Sequence, residues 1–142
     1  MPPLKILKSS RESQHPTIKF ENLEIINKLL RDPRVDPSYN DNYAIKHASY
    51  NNNIEIVNRL LEDPRVDPSV DHNFAIRRAS RDGHIEIVNR LLQDHRVNPS
   101  DYDNEAIIHA SLYGNAKIVN RLLQDSRVDP SADDNKAICY AD

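Results

Sequence analysis

Six histidines and one cysteine are the side chains of this protein best suited to metal binding or proton transfer, so their spacing decides whether they do either. His47 and His109 occupy the same register two repeats apart, with Arg78 at the register between them. At about 10 Å per repeat the pair would be separated by two such steps, too far to share one zinc ion, whose ligands converge to about 2 Å. His84 reads as structural, and His15, His72 and His95 fall in predicted turns without a ligand-spaced partner. The carboxylates lie in connectors and on helix surfaces, with no apolar pocket to raise a pKa. Two glycines cannot build a phosphate-cradling loop, and Cys139 has no base beside it. The sequence therefore predicts no enzyme, no cofactor and no metal site.

A unit of 31 residues positions these side chains: Asn42, Asn73, Asn104 and Asn135 fall in step, as do Ala44, Ala75, Ala106 and Ala137, and Leu29, Leu60, Leu91 and Leu122. Such a period marks a stack in which each unit buries its apolar face against its neighbours. The predicted fold is an all-α helix-turn-helix solenoid. In each unit Ala44, Ile45 and Ala48 have the spacing of a short helix A from Tyr43 to about Tyr50, with Asn42 expected as its N-cap. Helix B, Ile54 to about Glu62, carries two apolar stripes. Between the helices the register of Asn52, Gly83 and Gly114 suits a left-handed turn.

Connectors of the form DPRVDPS follow, where proline blocks further helix and Asx-Pro-Ser is turn chemistry. Val35, Val66, Val97 and Val128 are expected to plug the stack, and Arg34, Arg65, Arg96 and Arg127 to bond Asp32, Asp63, Asp94 and Asp125 or neighbouring carbonyls without a binding role. Register arithmetic puts Pro16 inside the first helix A, at a cost of about 3 kcal/mol, so a displaced helix from about Pro3 to Ser10 is expected, then helix B of the first unit at Leu23 to Leu30. The expected organisation is a divergent cap over 1–22, a partial unit 23–38, full units 39–69, 70–100 and 101–131, and a half unit 132–142 without its helix B. That omission would leave Ile138 and the last helix B partly uncovered.

A net charge of -3 supplies no field to hold a nucleic acid backbone or an anionic membrane. No run approaches the roughly 18 apolar residues of a membrane span. A lone cysteine and the lack of a signal-peptide pattern point to a reducing, cytoplasmic compartment.

The A-x-x-x-A-S pattern of helix A, the Gly or Asn turn, EIVNRLL and the polar connector resemble the ankyrin repeat over about Leu23 to Asp142, with GHIEIVNRLL from Gly83 to Leu92 the nearest match. Two departures stand out. The family's T-P-L-H is replaced by YAIK, FAIR, EAII and KAIC, and the unit is two residues shorter than the usual 33. The shortfall lies in the connector, so a tight turn is expected in place of a long β-hairpin. This variant is similar to ankyrin repeats of large DNA viruses of amoebae, which would place it in a host cytoplasm.

Positions that break the period cluster before helix A and on its outward side, including the registers Lys46, Arg77, Ile108 and Tyr43, Phe74, Glu105. The resemblance implies that these registers line a concave surface that binds a protein partner. The candidate partner-binding residues are Tyr39, Tyr43, His47, Tyr50, Phe74, Arg77, Arg78, Arg81, Tyr102, His109, Leu112 and Tyr113. Aromatics and arginine dominate interface energetics, and five of the six tyrosines belong to this set. Neutral drift at unpacked positions is the competing explanation, but drift would not favour aromatics on an exposed face. The alternative function is a structural or self-associating repeat protein that pairs as a homodimer through its open C-terminal end.

Overall fold

A computed structural model describes residues 16–141, with side chains from Asn22 onward. The helix expected over Pro3 to Ser10 lies outside the described residues. Those residues form eight α-helices and no strand: α1 (Pro16–Arg31), α2 (Tyr39–Tyr50), α3 (Ile54–Leu61), α4 (Val70–Asp82), α5 (Ile85–Leu92), α6 (Asp101–Leu112), α7 (Ala116–Leu123) and α8 (Ala132–Cys139). The chain divides into two units, Met1–Asp36 and Pro37–Asp142.

In the first unit the sequence reading needs correction. Pro16 opens α1, which runs unbroken to Arg31 in place of a short helix from Leu23. Proline is tolerated in the first helical turn, where its missing N–H had no partner to lose and its fixed φ already suits the helix.

In the second unit α2, α4, α6 and α8 pack successively into one layer, and α3, α5 and α7 into another, each helix of a pair lying against its mate. The shared core is built from the repeating apolar registers: Ile45, Ile76 and Ile107 from the first layer, Val57, Leu60, Ile87, Leu91, Ile118 and Leu122 from the second, all essentially without solvent contact. Val66, Val97 and Val128 are buried beneath the connectors. At the turns between paired helices Asn52, Gly83 and Gly114 take positive φ values of 58°, 82° and 73°. These are backbone states that glycine and asparagine enter at least cost. A Cβ on Gly83 would also meet the Asn115 Oδ1 at 3.0 Å.

The repeated asparagine does not cap its helix. Asn40, Asp41 and Asn42 lie in one left-handed turn (φ 53° to 58°), closed by the Asn42 N–H donating to the Ser38 carbonyl at 2.9 Å, and the right-handed helix begins only at Tyr43. The same turn recurs at 71–73, 102–104 and 133–135. Its side-chain oxygen is spent on the connector that closes the same unit: Asn42, Asn73 and Asn104 each accept, at 2.8 Å, the backbone N–H of the residue 25 positions on, Asp67, Asn98 and Asp129. Each recipient residue then uses its own Oδ1 to accept both the N–H and the hydroxyl of the serine two places on, Ser69, Ser100 or Ser131. That Asx turn is why Asx-Pro-Ser recurs. A cross-unit tie comes from the register before helix B. His84 Nδ1 lies 3.2 Å from the Ser49 carbonyl oxygen, and the Asn115 amide donates to the carbonyls of Ser80 and Arg81 at 2.8 and 2.9 Å.

Within the connectors each Asp-x-Arg forms a closed local pair. Asp63 Oδ1 accepts the Arg65 backbone N–H and Nε, both at 3.0 Å, and Oδ2 accepts Nη2 at 2.7 Å. The Arg65 guanidinium pulls the Asp63 carboxyl from 3.8 down to about 2, against the opposing effect of burial. Asp94 and Asp125 are held low by Arg96 and Arg127 in the same way. Because these folded-state values are depressed, their stabilisation is complete above the ordinary value near pH 4 and drains away as pH falls toward 2. Asp63→Asn is therefore expected to flatten the loss of stability between pH 4 and 2, read as urea midpoints across that range. A slope identical to that of the parent chain would contradict the pairing.

Candidate interaction surface

The open face of the first helix layer carries most of the side chains that break the period. It is organised as notches between successive helices. Between α2 and α4 a cavity of about 390 Å³ is walled by Tyr43, His47, Tyr50 and Phe74, and closed at one edge by an ion pair of Lys46 with Asp71 at 2.8 Å. Between α4 and α6 a smaller cavity of about 240 Å³ is lined by Phe74, Arg77, Arg78, Arg81, Glu105 and His109. Tyr102, His109 and Leu112 line a third, of about 370 Å³, against Lys136 and Tyr140. The residues nominated by sequence thus converge on one row, with two exceptions. Tyr39 stands three-quarters exposed at the first residue of α2, and Tyr113 lines a separate cavity with Gly114, Asn115 and Val119 beyond the end of α6.

Three arginines of α4 organise this row by lying on aromatic faces, each of them reaching a ring of a neighbouring unit. The Arg78 guanidinium carbon is 4.3 Å from the Tyr50 ring centre, that of Arg77 is 4.7 Å from Tyr102 and 5.9 Å from Phe74, and that of Arg81 is 5.2 Å from Tyr113. Such contacts contribute about 0.5–1 kcal/mol each at exposed sites, so they orient rings more than they stabilise the fold. Arg77 is the most heavily engaged. Its guanidinium pairs with Glu105 of the next unit and donates to the carbonyls of His72 at 2.9 Å and Asp71 at 3.0 Å. Arg78 pairs with Asp82 at 2.8 Å. Tyr43 stacks on His47 at 5.4 Å, and His109 meets Tyr113 edge-on at 6.4 Å.

Sequence reasoning missed the cross-unit ion pairs Lys46–Asp71 and Arg77–Glu105, which hold neighbouring helices at the notches. Their signal was opposite charges at offsets of 25 and 28 residues, visible only once the stacking register is known. Ile108 was expected to face outward with Lys46 and Arg77, but it is buried. It lines the third cavity with His109 and Leu112, facing Lys136 and Tyr140.

Tyr102 occupies the first residue of a left-handed turn at φ 58°, where the other units place Asn40, Asp71 and Asp133. Left-handed backbone costs most residues about 1–2 kcal/mol, and Asn or Asp less. The cation–π contact with Arg77 returns about 0.5–1 kcal/mol. Tyr102→Asn should thus leave stability unchanged or raise it by up to about 1 kcal/mol in urea denaturation. A loss above 1 kcal/mol would show that the ring is held for the fold.

A family model described as ankyrin repeats in three copies matches residues 15–101 and, in a second overlapping register, 45–135. The chain belongs to the ankyrin-repeat family. No curated protein and no solved structure matches it. Ankyrin repeats are generally protein–protein interaction modules and typically act as non-enzymatic scaffolds. In this ankyrin array no group of three His, Cys, Asp or Glu among the described residues could hold a metal ion, and no described helix is long and apolar enough to cross a membrane.

Proposed function

We propose that this ankyrin array is a protein-interaction module that docks a segment of a partner protein along the notched face of α2, α4 and α6 and the left-handed turns that lead into them, the face the family presents as its concave surface. The observation that carries this reading is Tyr102, an aromatic 57% exposed on a backbone that disfavours it, at a position where the other units place Asn or Asp. Strain retained at an exposed aromatic has a ready explanation in binding. Rigid helices present Tyr43, Phe74 and the α4 arginines with little conformational entropy left to lose on docking. The net charge of -3 argues against nucleic acid or an anionic membrane as the ligand. The similarity to repeats of large DNA viruses of amoebae directs the search for the partner to the cytoplasm of such a host.

The test is affinity capture with the parent chain and two triple variants. Tyr43→Ala/Tyr50→Ala/Tyr102→Ala on the notched face should lose the captured protein. Glu55→Ala/Glu86→Ala/Lys117→Ala on α3, α5 and α7 should retain it, and the reverse pattern would move the site to the second layer.

A second reading rests on α8 and the end of α7, where Ile138 is 76% and Leu123 50% exposed. Large apolar side chains left in water forgo about 1.5–3 kcal/mol of burial each, which favours pairing of two chains there. Light scattering over a concentration series distinguishes them: a mass fixed at 16.3 kDa removes the homodimer.

A further inference from the structure

Charge is not evenly balanced along the notched face, and the imbalance points to one kind of ligand. In the α2/α4 notch the ion pair of Lys46 with Asp71 is self-neutralising, so what the notch offers is the aromatic wall of Tyr43, Tyr50 and Phe74. The α4/α6 notch is lined by three guanidiniums and one carboxylate: Arg77 is taken by Glu105, and Arg78 by Asp82 at the end of its own helix. Arg81 lies on the Tyr113 ring and has no carboxylate partner among the described residues. One uncompensated guanidinium thus stands in a notch of a protein whose net charge is negative. At physiological salt fields decay within about 8 Å, so this local excess, not the overall charge, is what a docked side chain meets.

Resting on the reading of this face as the docking surface, we infer that its ligand is an extended acidic peptide segment of a partner protein. Its carboxylate side chain pairs with Arg81, and a large apolar side chain fills the notch walled by Tyr43, Tyr50 and Phe74. Phe74 lines both notches, and Arg78 joins them by lying on Tyr50. Neighbouring packed helices are about 8–10 Å apart, and an extended chain advances about 3.3 Å per residue. The two anchors therefore sit about three positions apart in the ligand, in either chain direction. A carboxylate fits better than a phosphate monoester. The single free guanidinium matches one negative charge, and a second would find no further cation, since Arg77 is taken by Glu105 and Arg78 by Asp82.

The test uses a random dodecapeptide library displayed on phage and selected on the full chain, followed by fluorescence anisotropy of the enriched peptides as synthetic, labelled probes. Enriched sequences should carry Asp or Glu three positions from a large apolar residue. Arg81→Ala should weaken binding by about tenfold or more, as expected for loss of a charge-assisted hydrogen bond. Replacing the peptide's Glu with Gln should cost the parent chain the same factor and Arg81→Ala nothing further. Tyr43→Ala should weaken binding without changing the preference for the acid. Neutral or basic peptides whose binding ignores Arg81→Ala yet falls with Tyr43→Ala would overturn the acidic ligand and leave the docking face standing. So would a phosphoserine peptide bound tenfold more tightly than its Glu counterpart. No enrichment, or binding indifferent to both variants, would overturn the ligand and the docking face together.

Discussion

Asn73→Ala should destabilise the array by about 2–4 kcal/mol, a large effect for a side chain with no apolar surface to bury. Asn73 is buried, accepts the Asn98 N–H at 2.8 Å, and donates through Nδ2 to Asp101 Oδ2 at 2.9 Å. Its removal leaves the Asn98 N–H without a partner in a part-buried place, at about 1–3 kcal/mol. It also puts a Cβ-bearing residue with no polar side chain at φ 59°, for about 1 kcal/mol more. Asn73→Gly isolates the two costs, since glycine accepts the backbone but restores no hydrogen bond. Asn73→Ser discriminates the roles. A helix-capping asparagine is replaced by serine at little cost, whereas serine is too short to reach the connector 25 residues on and should lose nearly as much as alanine. Urea titrations of the three variants followed by circular dichroism give the comparison. Stability is set largely between neighbours in such stacks, so a broadened or two-step transition in Asn73→Ala would also mark the weakened junction.

Arg77→Ala should cost about 2 kcal/mol. An exposed ion pair contributes about 0–1 kcal/mol, and breaking a buried one costs about 3–5 kcal/mol. With side chains 16% and 24% exposed, Arg77 and Glu105 fall between these limits. The loss includes two backbone carbonyls, of Asp71 and His72, which only a forked guanidinium can reach while also holding Glu105. Arg77→Lys should accordingly recover little, because an ammonium cannot make the planar set of bonds. The double variant Arg77→Ala/Glu105→Gln should be more stable than the sum of the single losses, by about 1 kcal/mol or more, as contacting residues couple. Simple additivity would show that the pair is a surface ornament.

Much of the fold is legible because it is local and repeated. The α3 helix runs from Ile54 to Leu61, within a residue of the span its apolar stripes imply, and Val66 and Val97 are buried where a lone apolar residue in a polar connector has nowhere else to go. Asn42 was misread for a physical reason. Asparagine is favoured both as a helix cap and in left-handed backbone, and the partner that decides between them, the Asp67 N–H, lies 25 residues away. The run Asn40–Asp41–Asn42, echoed by Asp133–Asp134–Asn135, was the available clue to a whole left-handed turn. Pro16 shows the converse error, in which register alone overruled what proline does at a helix start. The notched face was partly legible: Tyr43, Phe74 and the α4 arginines stand out by type, but that Arg77 is engaged and Arg81 is not depends on cross-unit geometry.

Hydrogen exchange of the chain, free and saturated with its captured partner, tests most directly whether the notched face is the working surface. Protection should rise in the left-handed turns at 40–42, 71–73 and 102–104 and in the helices they open, with α3, α5 and α7 unchanged. Protection confined to α3, α5 and α7, or to α8 at the end of the array, would contradict it.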